Sequence, residues 1–256
     1  MTRNGWVIHR YGRVSSTMDV AAHLAQFGAT DRTVVVSDEQ SAGRGRSGRV
    51  WESPAATALF CTLLLRPGVA PDRLSTLPLV AGAAVAEAIE CVAGCPARLK
   101  WPNDVWLGAD DVRRKVAGIL LTSFVQGGGV NHVLLGIGIN IAGAPETLPP
   151  GATSIEAATG LTTSVEEVLT TLLDRFDPIY ANFQEAGGRP SLDGWRTRAA
   201  LIGELVTIAD AGRNLTGLFS DIDADGALLL EGSDGAVRRV FAGDLTRGPR
   251  PDAPLA

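Results

Sequence analysis

The spacing of apolar residues along the chain changes repeatedly, and each change predicts a switch between strand and helix. Short runs rich in β-branched residues predict buried strands, whereas Ala-rich runs and runs with a 3.6-residue apolar period predict helices. Residues 110–114 have neither pattern and predict a hairpin or a loop. The predicted strands cover residues 6–12, 33–40, 56–67, 97–101, 115–124 and 131–142, and the predicted helices cover residues 15–29, 74–94 and 164–187.

Two of the predicted helices begin with capping signals. Ser16 is the expected N-cap of the first helix, and Ser164 with Glu167 forms a capping box at the start of the last one. Pro178 lies inside that last helix, where it removes one backbone hydrogen bond and predicts a kink.

The pattern changes again near residue 200. Residues 204–247 form short strand-like runs separated by Gly, Asp and Asn, which is typical of a small β-barrel. Strands and helices mix without a strict βαβ alternation before this point. We therefore predict an α+β domain over residues 1–200 and a β module over residues 201–256, with a disordered tail at residues 248–256.

Composition limits the class of protein. The chain has 256 residues, 45% of them hydrophobic and 20% charged, which is enough apolar material for a real core. A net charge of -5 argues against bulk binding to nucleic acid or to an anionic membrane. Glu87 and Glu90 interrupt the longest apolar stretch, and no signal peptide precedes it. Three cysteines, an odd and sparse set, predict reduced thiols and a cytoplasmic location.

Positive charge is concentrated at residues 42–51, AGRGRSGRVW, although the whole chain is acidic. Glycines let backbone amides converge on one point, and arginine binds carboxylate or phosphate oxygens in pairs. The segment therefore suits a small anion such as a phosphorylated intermediate, and it equally suits an exposed linker with solvated arginines. A nucleic-acid-binding arginine–glycine segment is the weaker alternative in an acidic chain. Its glycines and arginines are Gly43, Arg44, Gly45, Arg46, Gly48 and Arg49.

Trp51 and Lys115 add an aromatic and a cationic candidate. Trp51 ends the basic segment and serves either to stack on a nucleobase or to fill the core. Lys115 opens a predicted apolar strand and either places a compact charge in a cleft or is simply solvated.

Three polar side chains lie at further predicted strand ends. In KWPND, residues 100–104, Asn103 and Asp104 either face a ligand or satisfy their own turn. The motif GIGIN, residues 136–140, lacks the third glycine and the following helix of a dinucleotide fingerprint. What remains there is close backbone approach and Asn140. Together these groups are what a site that forms an acyl-adenylate requires, because the reacting phosphate builds up negative charge.

The motifs GRGRSGRVW, KWPNDV, KVAGIL and GIGIN, in this order, resemble the motif set of the biotin protein ligases. SST at residues 15–17, ahead of DEQSAGRGR, strengthens the resemblance, which covers essentially the whole chain. It implies a catalytic domain related to class II aminoacyl-tRNA synthetases, with a mixed β-sheet and flanking helices, over residues 1–200. An SH3-like β-barrel would follow over residues 201–256.

The resemblance also implies a two-step reaction. Biotin and MgATP give biotinyl-5′-AMP and pyrophosphate, and a lysine of the biotin carboxyl carrier protein of acyl-CoA carboxylases then attacks the adenylate. Lys115 and Arg46 are the implied catalytic residues, and Asp104 is a candidate for contacting Mg²⁺ at the phosphates. The implied biotin contacts are Ser16, Thr17, Gln40, Gly43, Arg44, Lys115 and Gly118, and the implied nucleotide contacts are Arg46, Arg49, Trp51, Asn103, Asp104 and Asn140.

The sequence also bears on the wider function. The first predicted strand begins near Trp6, which leaves no room for the winged-helix domain of bifunctional members, so we expect no repressor activity. A lipoate–protein ligase is the nearest alternative, and a DNA-binding biotin sensor is the alternative from another class. The sequence leaves open whether the protein is a monomer or a weak homodimer.

Overall fold

An eight-stranded mixed sheet forms the centre of the molecule in the computed structural model, which describes residues 2–3, 5–109, 112–210 and 212–248. Its strands are β1 (Thr2–Arg3), β2 (Trp6–Val14), β3 (Thr33–Gln40), β4 (Ala58–Leu65), β5 (Arg98–Lys100), β6 (Asp104–Leu107), β7 (Arg114–Gln126) and β8 (Gly129–Asn140). They lie in the order β1-β2-β3-β4-β8-β7-β6-β5. The pair β2–β3 is parallel and every other neighbouring pair is antiparallel.

Helices cover both faces of this sheet. Helix α1 (Thr17–Gln26) packs on one face, where Met18 and Ala21 belong to a small buried cluster with Val35. The other face packs against α2 (Leu77–Ala93) and α4 (Val165–Glu185), which contact each other. Successive residues of a strand point to opposite faces, so an almost continuous apolar strand such as β4 serves both layers. Two short helices are α3 (Ile155–Thr159) and α5 (Asp193–Arg196).

The segment that ends in α2 is apolar and long enough to cross a membrane, over Pro71–Ala93. In the fold, however, 72% of its most apolar window is buried against other parts of the protein. Burial of this kind is typical of a helix in a protein core.

The predicted helix starts are confirmed. The Ser16 hydroxyl accepts from the Met18 amide at 3.3 Å, and the Ser164 hydroxyl accepts from the Glu167 amide at 3.1 Å. The reciprocal half of the capping box differs, because the Glu167 carboxylate instead accepts from the Thr163 hydroxyl at 2.7 Å. Helix α4 continues through Pro178 to Glu185.

A second sheet occupies the C-terminal part of the chain. It contains β9 (Leu205–Asp210), β10 (Arg213–Ile222), β11 (Leu228–Glu231), β12 (Val237–Val240) and β13 (Asp244–Arg247). All neighbours are antiparallel, in the order β12-β11-β10-β9-β13. The predicted α+β class with a separate C-terminal β module is confirmed. The division at residue 200 stays a prediction, and residues 249–256 of the predicted disordered tail lie outside the described residues.

Strand β6 is not predicted by the sequence pattern. It has only four residues and begins directly after Pro102 and Asn103, which mark a turn. The strand forms because it pairs with β5 and β7, and the local sequence alone does not predict it. This hairpin carries Asp104 into the sheet beside Lys115.

Candidate functional site

A narrow cavity lies where the N-terminus of α1 meets β7, β8 and the basic loop; we call it the central cavity. Most of the residues singled out from the sequence converge on it. Those that matter most for its chemistry are Thr17, Gln40, Arg46, Trp51, Lys115 and Gly118.

The polar end of the central cavity is a network of hydroxyl and amide groups. The Gln40 Oε1 atom accepts from the Thr17 amide at 2.8 Å and from the Thr17 hydroxyl at 3.1 Å. The buried Thr62 hydroxyl in turn donates to the Thr17 hydroxyl at 2.8 Å. These bonds hold the side chains in one arrangement, with Ser16 committed to capping α1. Such a preorganised set of small donors and acceptors suits a compact polar ring.

Paired glycines make room for Trp51 over the sheet. Gly118 on β7 faces Gly138 on β8 across the ladder. A Cβ atom on Gly118 would lie 2.7 Å from the Trp51 ring, and one on Gly138 would lie 2.6 Å from it. Gly118 therefore lies at a point of close approach, and the group that approaches it here is the Trp51 ring. Its implied contact with biotin stays a prediction. Gly138 of the GIGIN motif thus makes room for the Trp51 ring.

The basic segment folds as a compact loop, residues 43–51, which we call the arginine loop. The Trp51 amide donates to the Gly43 carbonyl at 3.1 Å, and the Gly45 amide donates to the Arg49 carbonyl at 2.7 Å. Gly48 has a φ of 74°, a conformation that glycine adopts easily. A Cβ atom on Gly43 would lie 2.4 Å from the Trp51 carbonyl oxygen, so this glycine shapes the base of the loop.

Each arginine of the loop is held by an acceptor from another element. Arg46 donates to Asn103 Oδ1 at 2.9 Å and, more weakly, to the Gly243 carbonyl at 3.5 Å, which ties the loop to the C-terminal module. Arg46 and Arg44 line the central cavity, whereas Arg49 lines the neighbouring cavities. The two remaining ion pairs are Arg44 with Asp19 and Arg49 with Asp244.

Lys115 adds a further cation to the wall of the central cavity, which Arg46 also lines. Its ammonium nitrogen lies 2.7 Å from Asp104 Oδ1 and 5.1 Å from the centre of the Trp51 ring. The pairing of β6 with β7 shifts by one residue between Val105 and Trp106, and this irregularity redirects the Lys115 end of β7. The sequence could not choose between a solvated and a directed lysine; the geometry places it at the cavity wall.

Asn140 is buried beside a larger opening. Its Nδ2 donates to the Thr153 carbonyl at 3.0 Å, which fixes the orientation of the amide. Its Oδ1 is buried without a hydrogen-bond partner among the described residues. Asn140 lines a cavity of about 520 Å³ together with Trp51 and Trp106, which we call the outer cavity. A buried acceptor without a partner is costly, so this oxygen is suited to a ligand that brings a donor.

The thiol of Cys61 lies in the wall of the central cavity, although no motif in the sequence marks it as a site residue. Cys61 on β4 is buried, and burial raises the pKa of its thiol to about 12. A thiol is nucleophilic only as the thiolate. Cys61 therefore stays neutral at physiological pH and does not compete for an activated acyl group.

The fold also brings to the site three residues to which the sequence analysis assigns no role. Lys100 begins the KWPND motif, and it lines the openings beside Lys115. Asp19 and Asp244 hold two of the loop arginines. A lysine at the start of a motif is a weak signal that could have indicated Lys100, whereas nothing local marks the two aspartates.

Comparisons with known proteins show which family the chain belongs to. Residues 11–140 match the biotin/lipoate A/B protein ligase family, and residues 201–245 match the biotin protein ligase C terminal domain. A biotin–[acetyl-CoA-carboxylase] ligase from Paracoccus denitrificans is 40% identical over 230 residues, which cover 87% of this chain and 93% of the relative. The chain belongs to the biotin protein ligase family.

A longer relative and a solved structure extend the comparison. The bifunctional ligase/repressor BirA of Bacillus subtilis is 33% identical over 239 residues, or 92% of this chain and 72% of that protein. The structure of a biotin protein ligase from Aquifex aeolicus in complex with biotin and ATP superposes with a TM-score of 0.78. That match has 28% identity and covers 94% of this chain and 99% of the other.

Proposed function

We propose that this protein is an ATP-dependent biotin ligase that forms biotinyl-5′-AMP and transfers biotin to a lysine of a biotin carboxyl carrier protein. The observation that carries the proposal is the convergence of Lys115 and Arg46 on one narrow cavity with a polar network at its end. A carboxylate that attacks the α-phosphate of ATP needs cations at the reacting atoms, because negative charge accumulates there.

The polar network supports binding of the biotin head. A ureido ring presents one carbonyl acceptor and two N–H donors, and the Thr17 and Gln40 groups offer matching partners in a fixed arrangement. The valeryl chain would then run along β7 toward Lys115. Ser16 and Arg44 line the same cavity, whereas Gly43 lies at the base of the arginine loop beside Gln40. All three keep the roles that the resemblance implies.

The outer cavity supports binding of the nucleotide. The unpartnered Asn140 Oδ1 can accept a hydrogen bond from the exocyclic amino group of adenine. The neighbouring Trp51 ring offers an apolar face for the base or its ribose. Arg49 lines the same cavity, where it adds positive charge for phosphate.

The Asn140 assignment predicts discrimination between ATP and ITP. Inosine carries a carbonyl oxygen where adenine carries the amino group, so two acceptors would face each other at Asn140. An unpaired buried polar group costs about 1–3 kcal/mol, so we expect kcat/KM for ITP to be lower by about fivefold to 150-fold. Measuring pyrophosphate release with both nucleotides, for the native protein and Asn140→Ala, checks it. Equal use of both nucleotides by the native protein would remove Asn140 from base recognition.

The proposal includes Mg²⁺, which would be bound mainly through the phosphates of ATP. Among the described residues no three His, Cys, Asp or Glu side chains form a metal-binding group. The Asp104 carboxylate and the Asn103 amide are the nearby oxygen ligands, and Mg²⁺ is commonly held by one or two carboxylates plus substrate phosphates. The residues therefore fit a metal carried by ATP, with Asp104 as its protein contact. When bound there, Mg²⁺ would offset the charge of the phosphate oxygens.

The arginine loop supports retention of the intermediate until the carrier arrives. Biotinyl-AMP is an anionic mixed anhydride, and Arg46 is one of the two loop arginines, with Arg44, that line the cavity also lined by Lys115. The loop would open and close as substrates enter, which would also keep water from the anhydride. The carrier lysine then needs little more than correct position, because the acyl group is already activated.

A lipoate–protein ligase is the second candidate, because the matched family includes both activities. The test is to supply the purified protein with MgATP, an apo carrier domain and either biotin or lipoate, and to record pyrophosphate and the mass of the carrier. We expect a mass increase with biotin alone. Modification with lipoate but not biotin would replace the proposal by its alternative.

We further propose a cytoplasmic protein that binds neither DNA nor a membrane surface, in keeping with a net charge of -5. A monomer or weak homodimer is compatible with this site, which is built within one chain. A filter-binding assay with the promoter of its own gene should retain no DNA.

A further inference from the structure

Lys100 is a partly buried cation whose function the site described so far leaves unassigned. It ends β5, and its side chain lines both the outer cavity and a second cavity of about 250 Å³. That second cavity, which we call the interdomain cavity, lies between the arginine loop and the start of β13. Lys100 is therefore exposed to both openings beside the reacting centre.

The Lys100 ammonium has no anionic partner of its own within the described parts of the chain. Its Nζ lies 5.1 Å from the centre of the Trp106 ring, and it forms no ion pair with a described carboxylate. Lys115 on the neighbouring side is different, because it is paired with Asp104 at 2.7 Å. Asp104 pairs with Lys100 across the β5–β6 ladder, but Lys115 already binds its carboxylate.

The surroundings make this arrangement unfavourable without a ligand. Burial lowers the pKa of Lys100, and the nearby cations Lys115 and Arg49 lower it further, whereas Asp104 and Asp244 act in the opposite direction. Removing an ammonium group from water is costly unless it is paired, and an aromatic ring compensates only in part. An anion that enters either cavity would supply the missing partner.

We propose that Lys100 contacts the β- and γ-phosphates of ATP and stabilises pyrophosphate as it leaves. The proposal rests on the proposed function, which places the α-phosphate at Lys115. Both cavities contain Lys115 and Lys100 on their walls, so a nucleotide whose α-phosphate meets Lys115 can extend its remaining phosphates to Lys100.

The bond changes define what Lys100 does. A carboxylate oxygen of biotin forms a bond to the α-phosphorus, and the bond from that phosphorus to the oxygen bridging the β-phosphorus breaks. The electron pair stays on the bridging oxygen and leaves with pyrophosphate. Negative charge therefore grows on the leaving group, and a nearby ammonium lowers the barrier because it interacts more strongly as the charge grows.

The test separates the two half-reactions. Lys100→Met keeps the length of the side chain over Trp106 and removes the charge. We expect adenylate formation to slow by about tenfold to two-hundredfold, the loss of one charge-assisted contact. In the reverse direction, from biotinyl-AMP and pyrophosphate to ATP, the KM for pyrophosphate should rise. Transfer of biotin from supplied biotinyl-AMP to a carrier domain should keep its native rate.

Two further variants make the result specific. Arg98→Met removes a cation from the same strand, two residues away and outside both cavities, and should leave both half-reactions unchanged. Lys100→Arg should restore part of the lost rate. An unchanged KM for pyrophosphate in Lys100→Met would overturn the proposal, and so would an equal loss in both half-reactions, which indicates a structural role. If the native protein forms no biotinyl-AMP at all, the proposed function fails instead.

Discussion

Lys115→Ala is expected to slow biotinyl-AMP formation by about tenfold to two-hundredfold while leaving the protein folded. The variant removes one charge-assisted contact to the reacting carboxylate and α-phosphate, and such contacts contribute about 1.5–3 kcal/mol. In the native protein the Asp104 carboxylate lies 2.7 Å from the Lys115 ammonium. The variant leaves this carboxylate without that partner. The measurement is the initial rate of pyrophosphate release under saturating biotin and ATP.

Arg114→Ala is the matched control for this variant. Arg114 is the adjacent residue on β7 and is exposed, outside the central, interdomain and outer cavities. It should keep a rate close to that of the native protein. Near-native pyrophosphate release by Lys115→Ala, with the control unchanged, would contradict the assigned role of Lys115.

Arg46→Gly is expected to release biotinyl-AMP prematurely and to label lysines of proteins other than the carrier. The native Arg46 faces the central cavity and is held by Asn103 at 2.9 Å, so its charge is in place for the anhydride. Loss of one such contact should shorten the residence time of biotinyl-AMP by about tenfold to two-hundredfold. Labelling of serum albumin, added as a bystander protein, measures the escape.

Arg46→Ala distinguishes loss of charge from gain of flexibility. Both variants remove the guanidinium, but alanine does not add the backbone freedom of glycine. If the guanidinium holds the intermediate, both variants should label albumin to a similar extent. A selective Arg46→Ala protein would assign the effect to loop flexibility, and selectivity in both variants would remove Arg46 from retention altogether.

Much of the fold follows from the sequence because its strands and helices carry strong local signals. The β-branched run at 33–40 and the capped helix after Ser164 have the predicted positions to within a residue or two. Strand β6 does not, because four residues after Pro102 carry too little periodicity, and pairing with β5 and β7 determines it instead. Which strand neighbours which is a long-range property that local patterns do not encode.

The site shows the same division between local and distant information. The chemistry of Arg46, Trp51 and Lys115 could be recognised from residue type, because cations and an aromatic ring in one set of motifs suit an adenylate. The partners of these residues could not be recognised from residue type. Asp244 lies almost 200 positions from Arg49, and only the docking of the C-terminal module against the arginine loop brings the two together. The Oδ1 atom of Asn140 is likewise free because the Thr153 carbonyl accepts from the Nδ2 atom of the same amide.

The central claim is that this cavity joins the carboxylate of biotin to the α-phosphate of ATP. The most direct measurement is exchange of labelled pyrophosphate into ATP by the purified protein, with and without biotin and in the absence of any carrier. The account predicts exchange that requires biotin and that Lys115→Ala strongly reduces. Exchange without biotin, or none with biotin and Mg²⁺ present, would contradict it.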